Sequence, residues 1–336
     1  MLLDANLPNV PLSRIPEIAA AAESVGFDAL WTSETRHDPF LPCGLIAEHT
    51  GQMRFGTAIA VSFARSPATL AQLAWDLSAQ SGGRFILGLG TQVKAHIERR
   101  FGMPWPESVL AQLREQILAV RAFWESWQHG TKLNFRGNYY KLTLMSPFFN
   151  PGPISHPDIP IFIAGVNKGL AGLAGELCDG FFVHPFHSPL YLKDVVLPAI
   201  DSGLRKAGKH RSRFSVSVSA FVATSAQERH SARAQIAFYA STPSYRPVME
   251  LHGWGSVALQ LSALAARGAW DAMPDLISDE MLSEFCLCTS QEGLARGLRD
   301  RYEGRADRLG LYVPFMPGER DSFWTGLASD LAPQAR

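Results

Sequence analysis

The chain has 336 residues, 46% of them hydrophobic, which is enough to bury one large α/β core or two ordinary ones. Lys and Arg together number 31, as do Asp and Glu; this balance argues against nucleic acid or an anionic membrane surface as the main partner. Residues 1–8 carry no basic stretch followed by an apolar run, and no apolar run reaches membrane-spanning length, so a cytoplasmic protein is expected.

In chain order, short apolar runs rich in β-formers alternate with longer amphipathic stretches. Strands are predicted at residues 2–7, 29–32, 54–60, 85–89, 159–164, 180–184, 214–222 and 308–313. The helical pattern at 13–25 has an alanine-rich stripe and stops at Gly26, and that at 67–80 enters through Ser66-Pro67 and stops at Gly82-Gly83. Residues 107–128 place Leu110, Leu113, Ile117, Val120 and Trp124 at helical spacing, which predicts a core face. Eight strands, the first seven each followed by helical pattern, predict a (β/α)8 TIM barrel, not an open doubly wound sheet.

Two segments exceed a minimal barrel of about 250 residues. Residues 133–157 read as a hairpin and an ordered lid before strand five, and residues 242–290 as a mostly helical insertion between strands seven and eight. The barrel pattern resumes after each, so a single domain is expected. Cys43, Cys178, Cys286 and Cys288 lack the spacing of zinc or CxxC redox motifs, so free thiols and no metal are expected.

Loops after the strands form the working face of such a barrel. Ser33-Glu-Thr-Arg-His-Asp-Pro-Phe40, Val61-Ser-Phe-Ala-Arg-Ser-Pro67, Gly88-Leu-Gly-Thr-Gln-Val-Lys-Ala-His96, Gly165-Val-Asn-Lys168 and His184-Pro-Phe-His187 all fall there. Such a collection of imidazoles, aromatics and glycines reads as a binding site. The pair Gly88 and Gly90 either lets backbone amides approach a phosphate or flat ring, or makes a tight turn.

Several of these stretches carry a resemblance. Gly26-Phe-Asp-Ala-Leu-Trp-Thr-Ser-Glu34, Gly56-Thr-Ala-Ile59 followed by Arg65-Ser-Pro67, Leu87-Gly-Leu-Gly-Thr91 and Pro160-Ile-Phe-Ile-Ala-Gly165 occur in order. Together they resemble the bacterial-luciferase-like superfamily. His96-Ile-Glu-Arg-Arg-Phe-Gly-Met-Pro-Trp105 and Ala306-Asp-Arg-Leu-Gly310 are similar to its branch dependent on the deazaflavin coenzyme F420. The resemblance implies an oxidoreductase with the cofactor ring across the carboxyl-terminal rim and a non-prolyl cis peptide at Ala58-Ile59.

Cofactor contacts are implied for Ala58, Ile59, Gly90, Thr91, Gln92, His96, Ala164, Gly165 and Val166. Lys94, Arg99 and Arg100 would join His96 in meeting a phosphate or the acidic tail, or form a solvated basic helix. His37 is the implied group for proton transfer or substrate orientation, with packing of its loop as the alternative. Phe40, Phe63, Trp105, His184 and parts of residues 133–157 are candidate lining of a small-molecule substrate pocket, and His187 is a further candidate.

The chain departs from the sugar-phosphate and alcohol dehydrogenases of the superfamily, which place carboxylates near the positions of Arg36 and Val93; those activities are disfavoured. A homodimer is expected. Two alternatives remain: a monooxygenase using reduced FMN, and a catalytically silent flavin-binding barrel. A Rossmann reading fails because Gly88-Leu-Gly90-Thr-Gln-Val93 lacks the third glycine of the fingerprint.

Overall fold

The computed structural model of the chain describes residues 1–332. Eight parallel strands form its centre: β1 (Leu2–Asn6), β2 (Ala29–Thr32), β3 (Arg54–Thr57), β4 (Phe85–Gly90), β5 (Ile161–Gly165), β6 (Gly180–Val183), β7 (Ser215–Ala223) and β8 (Arg308–Leu311). Each pairs with the next in sequence, and β8 returns to β1 through Leu2–Arg308 and Asp4–Gly310, closing the barrel.

The lumen is filled by side chains. Trp31, Ile86, Phe162 and Phe182 pack inside, with Trp31 edge-on to Phe182 at 5.0 Å between ring centroids. Toward the amino-terminal ends of the strands, Arg308 Nε and Nη2 donate to Asp4 at 2.8 and 2.6 Å, and Trp31 Nε1 donates to Asp4 Oδ2 at 2.9 Å. Burial raises the Asp4 pKa against the opposing pull of Arg308 and Trp31. The Asp4–Arg308 pair braces this end of the lumen, beside a depression lined by Arg54, Ile86, Phe162 and Arg308.

Gly88 and Gly90 lie inside β4 and neither has a positive φ, so they do not form the expected glycine turn. A Cβ at Gly88 would stand 1.7 Å from the Thr57 carbonyl oxygen and 2.8 Å from the Phe182 ring, and one at Gly90 would stand 2.6 Å from Ile59 Cγ1. Both glycines are required by close approach within the barrel. The loop proper begins at Thr91.

The wall helices include α1 (Ile15–Val25), α2 (Phe40–His49), α3 (Pro67–Ser81), the short α4 (Lys94–Arg99) and α5 (Val109–His129). The Ser66 hydroxyl accepts from Thr69 N at 3.1 Å to start α3, and Gly82 ends it at φ 64°. On α5, Leu113, Ile117, Val120 and Trp124 are buried as predicted, whereas Leu110, on the first turn, is exposed.

Residues 133–157 contain the expected hairpin, Phe135–Arg136 with Lys141–Leu142, but not the expected lid. Their hydrogen bonds run to the outer layer: Glu115 of α5 accepts from the amides of Asn138, Tyr139 and Tyr140, while Trp75 and Ser78 of α3 donate to the carbonyls of Gly152 and His156.

The excursion between β7 and β8 is longer than the predicted 242–290. Helix α6 (Ala226–Ala240) packs on Gly255–Ala266 and Asp279–Phe285, within the excursion. The helix that leads into β8 is α7 (Gln291–Tyr302). A short strand, Cys286–Cys288, rejoins the barrel by pairing with the last three residues of β7. No helix among the described residues is long and apolar enough to cross a membrane.

Candidate active site

The rim is built from strand ends whose order around the barrel fixes which side chains can meet. After β2, Glu34 is buried and accepts from Val61 N at 2.7 Å, from Arg65 Nη1 at 2.6 Å and from Arg65 Nη2 at 3.0 Å. Arg65 Nη2 also donates to Asp38 Oδ2 at 2.8 Å. Burial alone would lower the Arg65 pKa; Glu34 and Asp38 raise it. Asp38 Oδ1 in turn accepts from the amides of Phe40 and Leu41 at the start of α2. These carboxylates are committed to holding the β2 and β3 loops together.

That brace frames the Ala58–Ile59 peptide, which is cis, as the resemblance implies. Ala58 N donates to Thr32 O at 2.6 Å, and Glu34 N donates to Ile59 O at 3.2 Å. Ala58, Ile59, Ala164 and Gly165 are half-buried, and Ala58, Ile59 and Ala164 pack on the aromatic plug of the lumen. The partly exposed surface they form is mainly apolar.

Next to this surface, Thr91 and Gln92 are partly exposed, and Gln92 holds φ at 58°, a left-handed conformation rarely adopted by non-glycine residues. Its own Oε1 accepts from Val93 N at 3.1 Å. His96 is exposed on α4, where Lys94 pairs with Glu98 at 3.7 Å. Arg100 Nη2 donates to Thr35 O at 2.5 Å, so this side chain ties two rim loops together.

Past β5, Val166 is buried, and Asn167 Nδ2 donates to Ser244 O of the excursion at 3.1 Å. Asn167 Oδ1 is buried and has no partner among the described residues. An acceptor left in this state at a rim calls for a donor from elsewhere.

Past β6, His184 N donates to Gly165 O at 3.2 Å, which fixes His184 beside the half-buried surface. Its Nδ1 accepts from Phe186 N at 3.1 Å, so the neutral ring carries its proton on Nε2. The ring packs against Tyr239 at 4.7 Å and Tyr245 at 4.6 Å. Burial, with the charge of a protonated His187 as a second cause, pushes the His184 pKa down to about 3, leaving a neutral hydrogen-bond donor.

His187 is buried, accepts from the Tyr302 hydroxyl at 3.2 Å and donates through Nδ1 to His184 O at 2.8 Å. Burial is again the main cause that pushes its pKa down, to about 4. The hydroxyls of Tyr239 and Tyr312 hydrogen-bond to each other across the roof. Burial raises the pKa of Tyr239 and Tyr245, so both remain neutral phenols.

His37 lies in a different sector. It is exposed and lines a crevice of about 130 Å³ with Leu7, Asn9, Val10 and Leu12. Among the described residues no hydrogen bond joins it to the Ile59–Ala164 surface. Phe40 is 4% exposed in the core, with the Arg65 guanidinium 5.3 Å above its ring. Phe63 is buried edge-on to the half-buried Trp105 at 6.1 Å.

Sequence reasoning missed the Glu34–Arg65 brace, Asn167 and the tyrosines 239, 245 and 312. Tyr312 had a readable signal: it directly follows β8, so any closed barrel carries it to the rim. Tyr239 had none, because nothing in its helical pattern says that α6 leaves the wall.

The chain matches the family model described as luciferase-like monooxygenase over residues 3–308. It is 46% identical over 313 residues to an uncharacterized protein of Mycobacterium tuberculosis, covering 91% of this chain and 92% of that one. A 5,10-methylenetetrahydromethanopterin reductase of Methanolobus tindarius is 29% identical over 292 residues, 84% of each chain. The solved coenzyme F420-dependent tetrahydromethanopterin reductase of Methanopyrus kandleri superposes with a TM-score of 0.79 at 19% identity over 98% of both chains. With the closed barrel and its rim, these matches establish that the chain belongs to the luciferase-like monooxygenase family.

Proposed function

We propose that the protein is an oxidoreductase that passes hydride between coenzyme F420 and a small organic substrate. The observation that carries the reading is the half-buried surface of Ala58, Ile59, Ala164 and Gly165 beside the unpartnered Asn167 Oδ1. A heterocycle with an N–H edge suits both parts of that surface, and a Mycobacterium tuberculosis relative, 30% identical over 289 residues and named a putative coenzyme F420-dependent oxidoreductase, supports the same cofactor. When bound, the deazaflavin supplies hydride transfer without activating oxygen.

In this reading Ala58, Ile59 and Gly90 back the ring, and Ala164, Gly165 and Val166 form its cradle. Thr91, Gln92 and His96 line the way toward the phosphate and tail, where the exposed Arg99 adds positive charge. Phe63, Trp105 and His184 border the substrate, while Phe40 contributes through the position of Arg65. His37 is the proposed proton-transfer group, and its exposure leaves its ring free to act. His184 is a neutral donor that orients a carbonyl or similar acceptor without giving up a proton.

The test is anaerobic oxidation of reduced F420 by a panel of ketones, aldehydes and activated alkenes. Turnover with any of them, slowed at least about tenfold in His37→Ala with cofactor affinity unchanged, is the expected result. Turnover unaltered in His37→Ala but lost in His184→Ala would move proton transfer to the β6 sector. Oxygen-dependent turnover with reduced FMN alone would replace the proposal with a monooxygenase.

A further inference from the structure

The strand Cys286–Cys288 is an edge strand, paired only with β7. Alternation along a strand puts Cys286 and Cys288 on one face and Leu287 on the other. Leu287 indeed faces α7, where a Cβ at Gly297 would stand 3.0 Å from its Cδ2. Cys286 is fully buried and Cys288 is half-buried, so one thiol of the pair is open to a solute and the other is screened.

Arg229, Arg233 and Arg301 bear on the pair, opposed by the carboxylate of Glu228. Arg229 and Arg233 lie one turn apart on α6, and Arg301 of α7 donates to the backbone carbonyls of Ser283 and Glu284, just before the strand. Arg233 is paired with Asp279, whereas Arg301 makes no ion pair among the described residues and its Nε is buried without an acceptor there. An uncompensated cation of this kind favours an anion nearby. The neighbouring Cys286 thiol, followed by Arg229, Arg233 and Arg301, lowers the Cys288 pKa, whereas the Cys288 thiol and burial raise that of Cys286.

We infer that Cys288 and Cys286 form a peroxide-responsive dithiol, with Cys288 as the attacking thiolate and Cys286 as the resolving thiol. The Cys288 thiolate attacks one oxygen of hydrogen peroxide, the O–O bond breaks, and hydroxide leaves to become water. Sulfur is oxidised by two electrons to the sulfenic acid and the peroxide is reduced by two. Cys286 then loses its proton and attacks the Cys288 sulfur; the S–O bond breaks, a second water leaves, and the S–S bond forms.

Residues two apart on a strand have Cα atoms about 6.6 Å apart, at the upper end of the range for a disulfide, and the strand must bend to bring their Cβ atoms to about 4.5 Å. An edge strand with a single neighbour can shorten to meet it. The link falls where the roofing excursion rejoins the barrel, and it requires no bound cofactor, so it stands or falls separately from the proposed function.

The test uses the full chain, reduced and then treated with a few equivalents of hydrogen peroxide, with free thiols alkylated under denaturing conditions and mapped by mass spectrometry. The four thiols should fall to two, with a loss of 2 Da confined to the segment holding Cys286 and Cys288 (about two hydrogens). Cys286→Ser should instead accumulate a sulfenic acid on Cys288 that a dimedone probe traps. Should that variant not fold, the wild-type alkylation rates decide: Cys288 is expected to react at least about tenfold faster at pH 7 than Cys43 and Cys178. Equal rates at the three cysteines, or oxidation that begins at Cys43 or Cys178, would overturn the inference.

Discussion

Arg65 donates to Glu34 through both of its terminal nitrogens and to Asp38 through one of them, at 2.6 to 3.0 Å. Replacing it with Met would leave the buried Glu34 carboxylate with the Val61 amide as its remaining partner. A loss of about 3 kcal/mol in unfolding free energy is predicted, because an uncompensated buried charge costs more than the pair contributes. An unchanged urea midpoint would show that the brace is dispensable. His184 and His187 make a second residue-scale prediction. Their folded pKa values, about 3 and about 4, lie below the ordinary histidine value of 6.5, so the unfolded chain binds more protons below that value. Their contribution to stability is therefore fully present above pH 6.5 and is lost as pH falls toward 3, at up to about 1.4 kcal/mol per pH unit for each ring. Unfolding curves between pH 7 and 4.5 check this, and His187→Gln, which does not titrate, should flatten the slope. The residue types at this rim were legible in the sequence because strand ends must reach it. Their partners were not: the guanidinium that ties down Glu34 and Asp38 lies 27 or more residues away, and only the closed sheet brings the two loops together.

The elements were more readable than the contacts between them, since a buried parallel strand and an amphipathic helix leave different periods in one stretch of chain. Glycine was the main source of misreading. Gly88 reads as turn chemistry, yet it is needed because a Cβ on strand β4 there would stand 1.7 Å from Thr57 O. Gly88→Ala is predicted to prevent the barrel from closing, seen as insoluble expression or loss of cooperative unfolding. Gly44 on α2 has nothing within 4 Å of a built Cβ and no positive φ. Gly44→Ala should accordingly stabilise the chain by about 0.5–1 kcal/mol; a fall in stability would show that α2 needs a glycine for a reason outside the isolated chain. The pattern of α6 likewise specifies a helix without specifying a wall or a roof. Its tertiary place depends on what Gly255–Ala266 and Asp279–Phe285 cover, which no local period encodes.

On the scale of the molecule, the lumen is plugged by Trp31, Phe162 and Phe182 and braced below by Asp4 and Arg308, and the strand-end loops gather at its carboxyl-terminal end. Across that end lies the proposed cofactor surface of Ala58–Ile59 and Ala164–Gly165, with neutral His184 and the tyrosines of the excursion on one side. The crevice at His37 lies on another. Titration of the purified chain with oxidised F420 and separately with FMN, followed by fluorescence, tests the central claim most directly. The account predicts saturable, micromolar or tighter binding of F420, weakened by an Asn167→Leu substitution that removes the unpartnered acceptor. Tight binding of FMN with none of F420 would contradict the cofactor, and binding of neither would contradict the enzyme.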